Sequence, residues 1–349
     1  MVKPISIGSF SGCGGSSLGY KTAGFDVRAA IEIDPIAAMV YEHNHPKTKL
    51  LKEDIRTLNG KDLLSIVGLS KGELHLWEGS PPCSKFSMAG KREKAWNKVT
   101  QTDSDTIKLR NVEDLFFDWI RLLDEMQPLT AVAENVPGLA AGAAKGKLVQ
   151  FVRAIEQAGY TTQVWILHAE QFGVPQARHR LFIACVRKDL DASIMSKPKA
   201  KTGPVPYGPA IADLPTVLWE NPAFGREQPS AHHAPSITSY RIYQYWKDMG
   251  KAGKHEKRFS MSRPSMNKPC PTITSYDGNV AASGLCHPHE PRRFSVAEIR
   301  RMFGYPDTFE FPVSYKDAVG RLGNSVPPPL AAAVGEEMLK VLKHNKAIK

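Results

Sequence analysis

Ile5-Ser-Ile-Gly-Ser-Phe10-Ser-Gly12-Cys-Gly14-Gly15 is the stretch on which the fold turns. Residues 5–10 are a short apolar run that ends in glycines, with a helix-compatible segment behind it. A strand that feeds such a turn and then a helix lets bare backbone amides approach a ligand closely. The next apolar run, 25–33, ends in Glu32 and Asp34, about twenty positions on, where a nucleotide's ribose hydroxyls are gripped. Ser17 stands where a dinucleotide fingerprint has its third glycine. The turn alone therefore fits a nicotinamide dinucleotide, S-adenosylmethionine, or a tight turn with no ligand.

Outward from there, strands and helices alternate. Asp34-Pro35 supplies an N-cap and a first-turn proline for a helix carrying Ala37, Ala38, Val40 and Tyr41. Residues 74–78, 131–134, 164–167 and 181–186 are further strand candidates. Val112, Leu115, Phe116, Trp119, Ile120 and Leu123 follow the spacing of a helix with one buried face. The pattern over about 185 residues predicts an α/β fold built on a doubly wound, Rossmann-like sheet.

Composition bounds the rest. The chain has 349 residues, with 46 Lys+Arg against 35 Asp+Glu, a formal charge of +11. Hydrophobic residues at 42% and charged residues at 23% exclude a mainly disordered chain. No run of about 18 apolar residues occurs, and the start lacks a secretory pattern. Five cysteines without CxxC pairs predict neither a disulfide framework nor a structural zinc site. Cys270, Cys286, His287 and His289 fit no usual zinc spacing, so no metal is expected. A cytoplasmic protein with a polyanionic partner is the expectation.

The composition changes near residue 197. Residues 198–235 hold eight prolines in 38 positions, which disfavours long helices and central strands. Residues 240–270 carry eight Lys/Arg and two Asp/Glu, interleaved with Tyr240, Tyr243, Tyr245, Trp246 and Phe259. Ser295-Val-Ala-Glu298 is a capping box ahead of Ile299, Met302 and Phe303, and a last helix follows Pro327–Pro329, with Leu330, Val334, Met338, Val341 and Leu342 on one face.

Chemistry enters with Gly79-Ser-Pro-Pro-Cys83. Two prolines hold one thiol just past a strand, where ligands of an open α/β sheet collect. Ser80, Ser84 and Lys85 favour an exposed thiol of lowered pKa, a nucleophile. Glu134-Asn-Val-Pro-Gly138 puts a carboxylate at the end of another strand, on the same edge. Gln176-Ala-Arg178-His-Arg180 sets two guanidiniums two residues apart, on one face of an extended chain.

With these residues in view, the chain resembles the carbon-5 cytosine DNA methyltransferases of prokaryotic type over almost its whole length. The matching stretches are Phe10-Ser-Gly-Cys-Gly-Gly15, Gly79-Ser-Pro-Pro-Cys83, Glu134-Asn-Val136, Gln176-Ala-Arg178-His-Arg180, Arg293-Phe-Ser-Val-Ala-Glu298 and Gly323-Asn-Ser-Val326. Six motifs stand in the family's order, with the variable stretch between the fourth and the fifth. Ser84 stands where the family usually has Gln, and Ile33 where many relatives have an aromatic.

The resemblance implies a methyl transfer from S-adenosylmethionine to a flipped cytosine in duplex DNA, through a covalent Cys83 adduct. Glu134 is then the acid at ring nitrogen 3, and Arg180 with Arg178 steadies the base carbonyl and the adjacent phosphate. Cofactor positions carry over to Phe10, Ser11, Gly12, Gly14, Gly15, Glu32, Ile33, Asp54, Ile55, Pro82, Leu115, Asn324 and Ser325. Residues 1–197 with 324–349 are expected to form the catalytic domain, 198–291 a target recognition domain, and 292–323 a hinge segment. Residues 84–111, with seven Lys/Arg, look like a loop that closes on the duplex. Lys91, Arg92, Arg241, Lys247, Arg258 and Arg263 are candidates for DNA contacts. A monomer is expected, from a restriction–modification system with an independent endonuclease or from a solitary or phage enzyme. The alternatives are a tRNA cytosine methyltransferase, against which the absence of a Cys-Phe-Thr triplet argues, a silent DNA-binding protein on the same fold, and a nicotinamide oxidoreductase.

Overall fold

The computed structural model describes residues 3–82, 114–220, 230–250 and 253–348. Strand β1 (Ile5–Ser9) leads into α1 (Gly15–Ala23), β2 (Asp26–Ile31), α2 (Pro35–Asn44), β3 (Lys49–Leu51), α3 (Gly60–Val67) and β4 (Leu76–Gly79). Next come α4 (Asp114–Met126), β5 (Thr130–Asn135), α5 (Lys145–Gln157), β6 (Tyr160–His168), the two-residue β7 (Gln176–Ala177) and β8 (His179–Arg187). Seven of these strands make one sheet in the order β3-β2-β1-β4-β5-β8-β6. Neighbours from β3 to β5 run parallel, whereas β8 lies antiparallel to both β5 and β6. The α/β sheet is as predicted. The reversal at β8 is invisible in sequence, because an apolar extended run has no direction of its own.

Both faces of the sheet are covered over its central strands, which is why these are apolar almost throughout, whereas edge strand β6 leaves Val164 and Ile166 exposed. On one face Ile5, Ile7, Trp77, Ala131 and Ile183 pack with Leu63, Phe116, Trp119 and Phe151 from α3, α4 and α5. The predicted stripe of α4 is buried there, and Phe116 stacks on Phe151 with centroids 3.8 Å apart. Val112 lies outside the described residues. On the other face Val27, Leu76, Val132 and Phe182 meet Tyr20 of α1 and Leu330, Val334 and Met338 of the last helix. A Cβ on Gly19 would stand 2.5 Å from Ala331 Cβ, so α1 and that helix cross at close range.

After β8 regular structure is sparse, as the prolines require. The pieces are α6 (Gly208–Ile211), β9 (Val217–Trp219), β10 (His233–Pro235), α7 (Ile242–Asp248), β11 (Gly253–His255), β12 (Arg258–Arg263) and β13 (Cys270–Pro271). Then follow α8 (Val296–Met302), α9 (Tyr315–Asn324) and α10 (Pro328–His344). These elements gather their own apolar cluster, with Tyr207, Ile237, Met261, Ile273, Phe294, Met302 and Tyr315 at its centre. Helix α9 was not predicted. Gly320 and Gly323 break its apolar rhythm, and Ser314 caps it by accepting from Asp317 N at 3.1 Å.

The capping box of α8 is present. Ser295 Oγ accepts from Glu298 N at 3.2 Å, and Glu298 Oε2 accepts from Ser295 N at 2.7 Å. The same carboxylate takes both prongs of Arg292, at 2.9 and 3.0 Å, with each side chain 3% exposed. Arg293, buried beside it, donates to the carbonyls of Val280, Leu285 and Asn279 and so shapes the loop before α8. Removing one member of a buried pair strands the other. Glu298→Ala is therefore expected to destabilise the protein by about 3–5 kcal/mol in urea unfolding. Glu298→Gln, which keeps the cap acceptor, is expected to lose less; equal losses for the two would contradict this.

Candidate active site

The parallel strands β1 to β5 end on one edge of the sheet, where ligand sites of such folds collect. At the end of β1 the chain turns through Phe10 (φ 50°), Gly12 (φ 53°) and Gly14 (φ 95°), all left-handed. Glu32, just past β2, holds this turn. Its Oε2 accepts from Gly12 N at 2.7 Å and its Oε1 from Asp34 N at 2.8 Å. Loss of hydration raises its carboxyl pKa above the ordinary range. Beside it Ile33 keeps 40% of its surface exposed.

Asp34 caps α2 and also receives Arg321 Nη1 of α9 at 2.7 Å. That ion pair brings the end of α9, with exposed Asn324 and buried Ser325, to the glycine turn. A Cβ on Gly15 would lie 2.3 Å from Tyr305 Oη, 2.4 Å from Ser325 Oγ and 2.5 Å from Val326 O, so only glycine permits the approach. Tyr305 Oη is itself bonded to Ser325 Oγ. Helix α1 has Gly14 as its N-cap and so no side-chain cap, leaving first-turn amides as donors. Ser11 Oγ is buried without a protein partner.

Other expected cofactor residues sit differently. Asp54 caps the short turn Ile55–Thr57, and its carboxylate is held by Arg56, with Nε at 2.9 Å. That bond keeps its pKa below the usual carboxylate range. Asp54, expected among the cofactor positions, thus has its carboxylate already engaged by Arg56. Ile55 and Leu115 are buried in the apolar cluster under this edge, and Pro82 is exposed.

Cys83, Lys91 and Arg92 lie outside the described residues. The approach to Cys83 is described: Asn135 Nδ2 donates to Pro81 O at 3.1 Å, tying the chain after β4 to the end of β5. Next to Asn135, Glu134 Oε1 pairs with Arg180 Nε at 2.9 Å, each side chain 12% exposed. Register sets Glu134 opposite Phe182 across the antiparallel β5–β8 pair. Burial pulls the Arg180 pKa down, and Glu134 opposes that shift.

Arg178 has another task. It is fully buried, donates from Nη1 to Ile273 O (3.0 Å) and from Nη2 to Gly323 O (2.6 Å), and lies 5.0 Å from the Phe303 ring centroid. Its guanidinium therefore fastens the strand to the elements after β12 instead of facing the edge beside Arg180. The two-residue spacing did not distinguish these fates. Arg263 also departs from the expected DNA contact. It is buried, spent on Pro288 O (2.9 Å) and Trp246 O (3.1 Å), and stacked 4.0 Å from Trp246. Arg241, Lys247 and Arg258 are exposed, with Lys247 over Tyr243 and Arg258 over Tyr245.

Four of the five cysteines are described, and Cys13, Cys185, Cys270 and Cys286 are all free and buried. Burial pushes each thiol upward, away from nucleophilic use.

One acid escaped the sequence reading. Glu78 on β4 is 3% exposed, and its Oε1 has no partner. A Cβ on Gly8 would touch that oxygen at 2.5 Å and Ser11 Oγ at 3.1 Å. The only sign was a carboxylate closing an apolar run. Burial, and then Glu134, pushes its pKa from 4.5 to about 8. Tyr20 and Tyr41 are the other titratable groups that feel it. Below the ordinary carboxyl range, folded and unfolded chains both hold the proton. Between pH 4.5 and about 8 only the folded chain holds it, so stability falls as pH rises, by up to about 1.4 kcal/mol per unit. Glu78→Gln should therefore gain in Tm over the parent from pH 5 to pH 8 and level off above. A pH-independent difference in a thermal-melt series would refute the assignment.

Comparisons with known proteins complete the picture. The C-5 cytosine-specific DNA methylase family matches residues 6–340. Type II methyltransferase M.XorII of Xanthomonas oryzae is 32% identical, covering 98% of this chain and 86% of that protein. Type II methyltransferase M.NgoPII of Neisseria gonorrhoeae is 29% identical, over 98% and 96% of the two chains. Among solved structures, the S. pombe Dnmt2 methyltransferase superposes with a TM-score of 0.64 at 18% identity, over 98% and 99% of the two chains. That likeness is one of fold.

Proposed function

The chain belongs to the C-5 cytosine-specific DNA methylase family, and from that premise we propose how its residues divide the work on a cytosine of duplex DNA. The protein is a DNA (cytosine-5-)-methyltransferase related to the Type II enzymes of restriction–modification. Carbon 5 of cytosine is too weak a nucleophile to be methylated unaided. The Cys83 thiolate adds to carbon 6 while Glu134 holds a proton against ring nitrogen 3, and carbon 5 gains enamine character. Arg180 keeps Glu134 oriented and offers its remaining N–H donors to the base carbonyl and the adjacent phosphate. Arg178 braces the same strand from behind. Loss of the carbon-5 proton and elimination then free Cys83.

The residues at the glycine turn fit S-adenosylmethionine. The uncapped start of α1 suits a carboxylate, Ser11 Oγ lacks a partner, and exposed Ile33 offers an apolar face for an adenine beside Glu32. Phe10, Gly12, Gly14 and Gly15 provide the backbone cradle, with Asn324 and Ser325 closing one side and Asp54, Ile55, Pro82 and Leu115 flanking it. When bound, this cofactor supplies an electrophilic methyl group.

A stacked cytosine cannot present carbon 6 to a thiol, so the base swings out of the duplex. We assign residues 198–291 to target recognition, 292–323 to the hinge, and 1–197 with 324–349 to catalysis. Arg241, Lys247 and Arg258, all exposed, the last two laid over tyrosines, are the candidates for phosphate contacts, with Lys91 and Arg92 in the sequence after Cys83. The enzyme acts as a monomer, and a cognate endonuclease would act independently of it.

The observation that carries the mechanism is the Glu134–Arg180 pair at 2.9 Å, beside the Asn135 bond that leads the chain toward Cys83. Cys83→Ala is expected to bind S-adenosylmethionine normally and transfer no methyl group to DNA. Glu134→Gln should lower kcat about 10²–10⁴-fold with little change in cofactor affinity. Radiolabelled methyl transfer and cofactor titration check both, and turnover by Cys83→Ala would overturn the covalent route. Bisulfite sequencing of DNA from expressing cells identifies the methylated sequence.

A further inference from the structure

Where β6 ends and β8 begins, His168 and His179 stand at directly paired register positions, their ring centroids 3.9 Å apart. Glu170, in the short turn Ala169–Gln171 that follows β6, points at both. Its Oε1 lies 3.1 Å from His179 Nε2 and 3.7 Å from His168 Nδ1. Its Oε2 accepts from Arg178 N at 3.3 Å, so the backbone orients the carboxylate and leaves Oε1 to the imidazoles. One donor atom from each residue lies within 4.8 Å of the others. Glu170 is 12% exposed, and the two imidazoles are 41% and 45% exposed. Protein therefore closes one side of the group, and solvent reaches the other.

We propose that His168, Glu170 and His179 form a binding site for a divalent transition-metal ion of the zinc class. Two imidazole nitrogens and one carboxylate oxygen suit a borderline ion, whereas calcium and magnesium take all-oxygen shells. Three protein donors leave a further position for water on the solvent side. Metal–ligand bonds of about 2.0–2.2 Å require the three atoms to draw together by modest side-chain rotation. The Arg178 amide is the outer hydrogen bond that such carboxylate ligands use for orientation. Among the described residues no other group of three His, Cys, Asp or Glu donors is so placed.

Nothing in the amino-acid order announces this trio, since pairing of two antiparallel strands assembles it. The ion would clamp the end of β6 to the start of β8, one residue before Arg180. Arg180 Nη1 donates to His179 O at 2.8 Å, so the clamp stiffens the backbone from which Arg180 reaches Glu134.

The test uses untagged full-length protein, stripped with a chelator and titrated calorimetrically with Zn²⁺ alone. Wild type should take up one equivalent, give a visible d–d spectrum with Co²⁺, and rise in Tm as Zn²⁺ is added. The His168→Ala/His179→Ala double variant should lose all three responses while matching the chelated wild type in circular dichroism. Should that variant fail to fold, Glu170→Gln, which keeps the carboxamide acceptor for Arg178 N, should bind Zn²⁺ more weakly. Unchanged stoichiometry and affinity in the variants, or no uptake by wild type, would overturn the site. Methyl transfer is not the readout, so failure here is distinguishable from failure of the mechanism.

Discussion

The ion pair between Glu134 and Arg180 is the constraint around which the rest is arranged. It exists because β8 enters the sheet backwards, beside the last parallel strand, and so delivers a cation to an edge where strand ends otherwise supply acids and carbonyls. Neither partner is solvent-exposed enough for the pair to be a decoration, and neither is buried enough to be sealed. Such a half-open pair holds a carboxylate in one orientation and leaves it within reach of solvent. Asn135 then links this geometry to the chain ahead of Cys83.

A second feature is the number of bonds that join distant segments around the glycine turn. Glu32 holds the Gly12 amide, Asp34 holds Arg321, and Ser325 packs against Gly15. The turn is thus shaped from three directions, and left-handed backbone at Phe10 and Gly12 is maintained by these contacts and not by the turn alone. Glycine at position 15 is required by the close packing of Tyr305, Ser325 and Val326 against the turn.

Most of the sheet was legible because its strands are covered on both faces and therefore apolar, and because α4 shows its buried stripe. The α8 capping box was legible because it is local, and its bonds are present. What escaped was non-local. The direction of β8, the burial of Arg178 and Arg263 and the meeting of His168 with His179 all depend on partners far away in sequence. Glu78 escaped for a different reason: a single acid in an apolar strand looks like an edge residue until its neighbours are in place.

The crossing of α1 and α10 has a consequence for biosynthesis. The first helix of the sheet body is covered by the last one, so a nascent chain holds an exposed apolar face until α10 leaves the ribosome. The elements from α6 to α9 are synthesised in between, ahead of the helix that completes the sheet body.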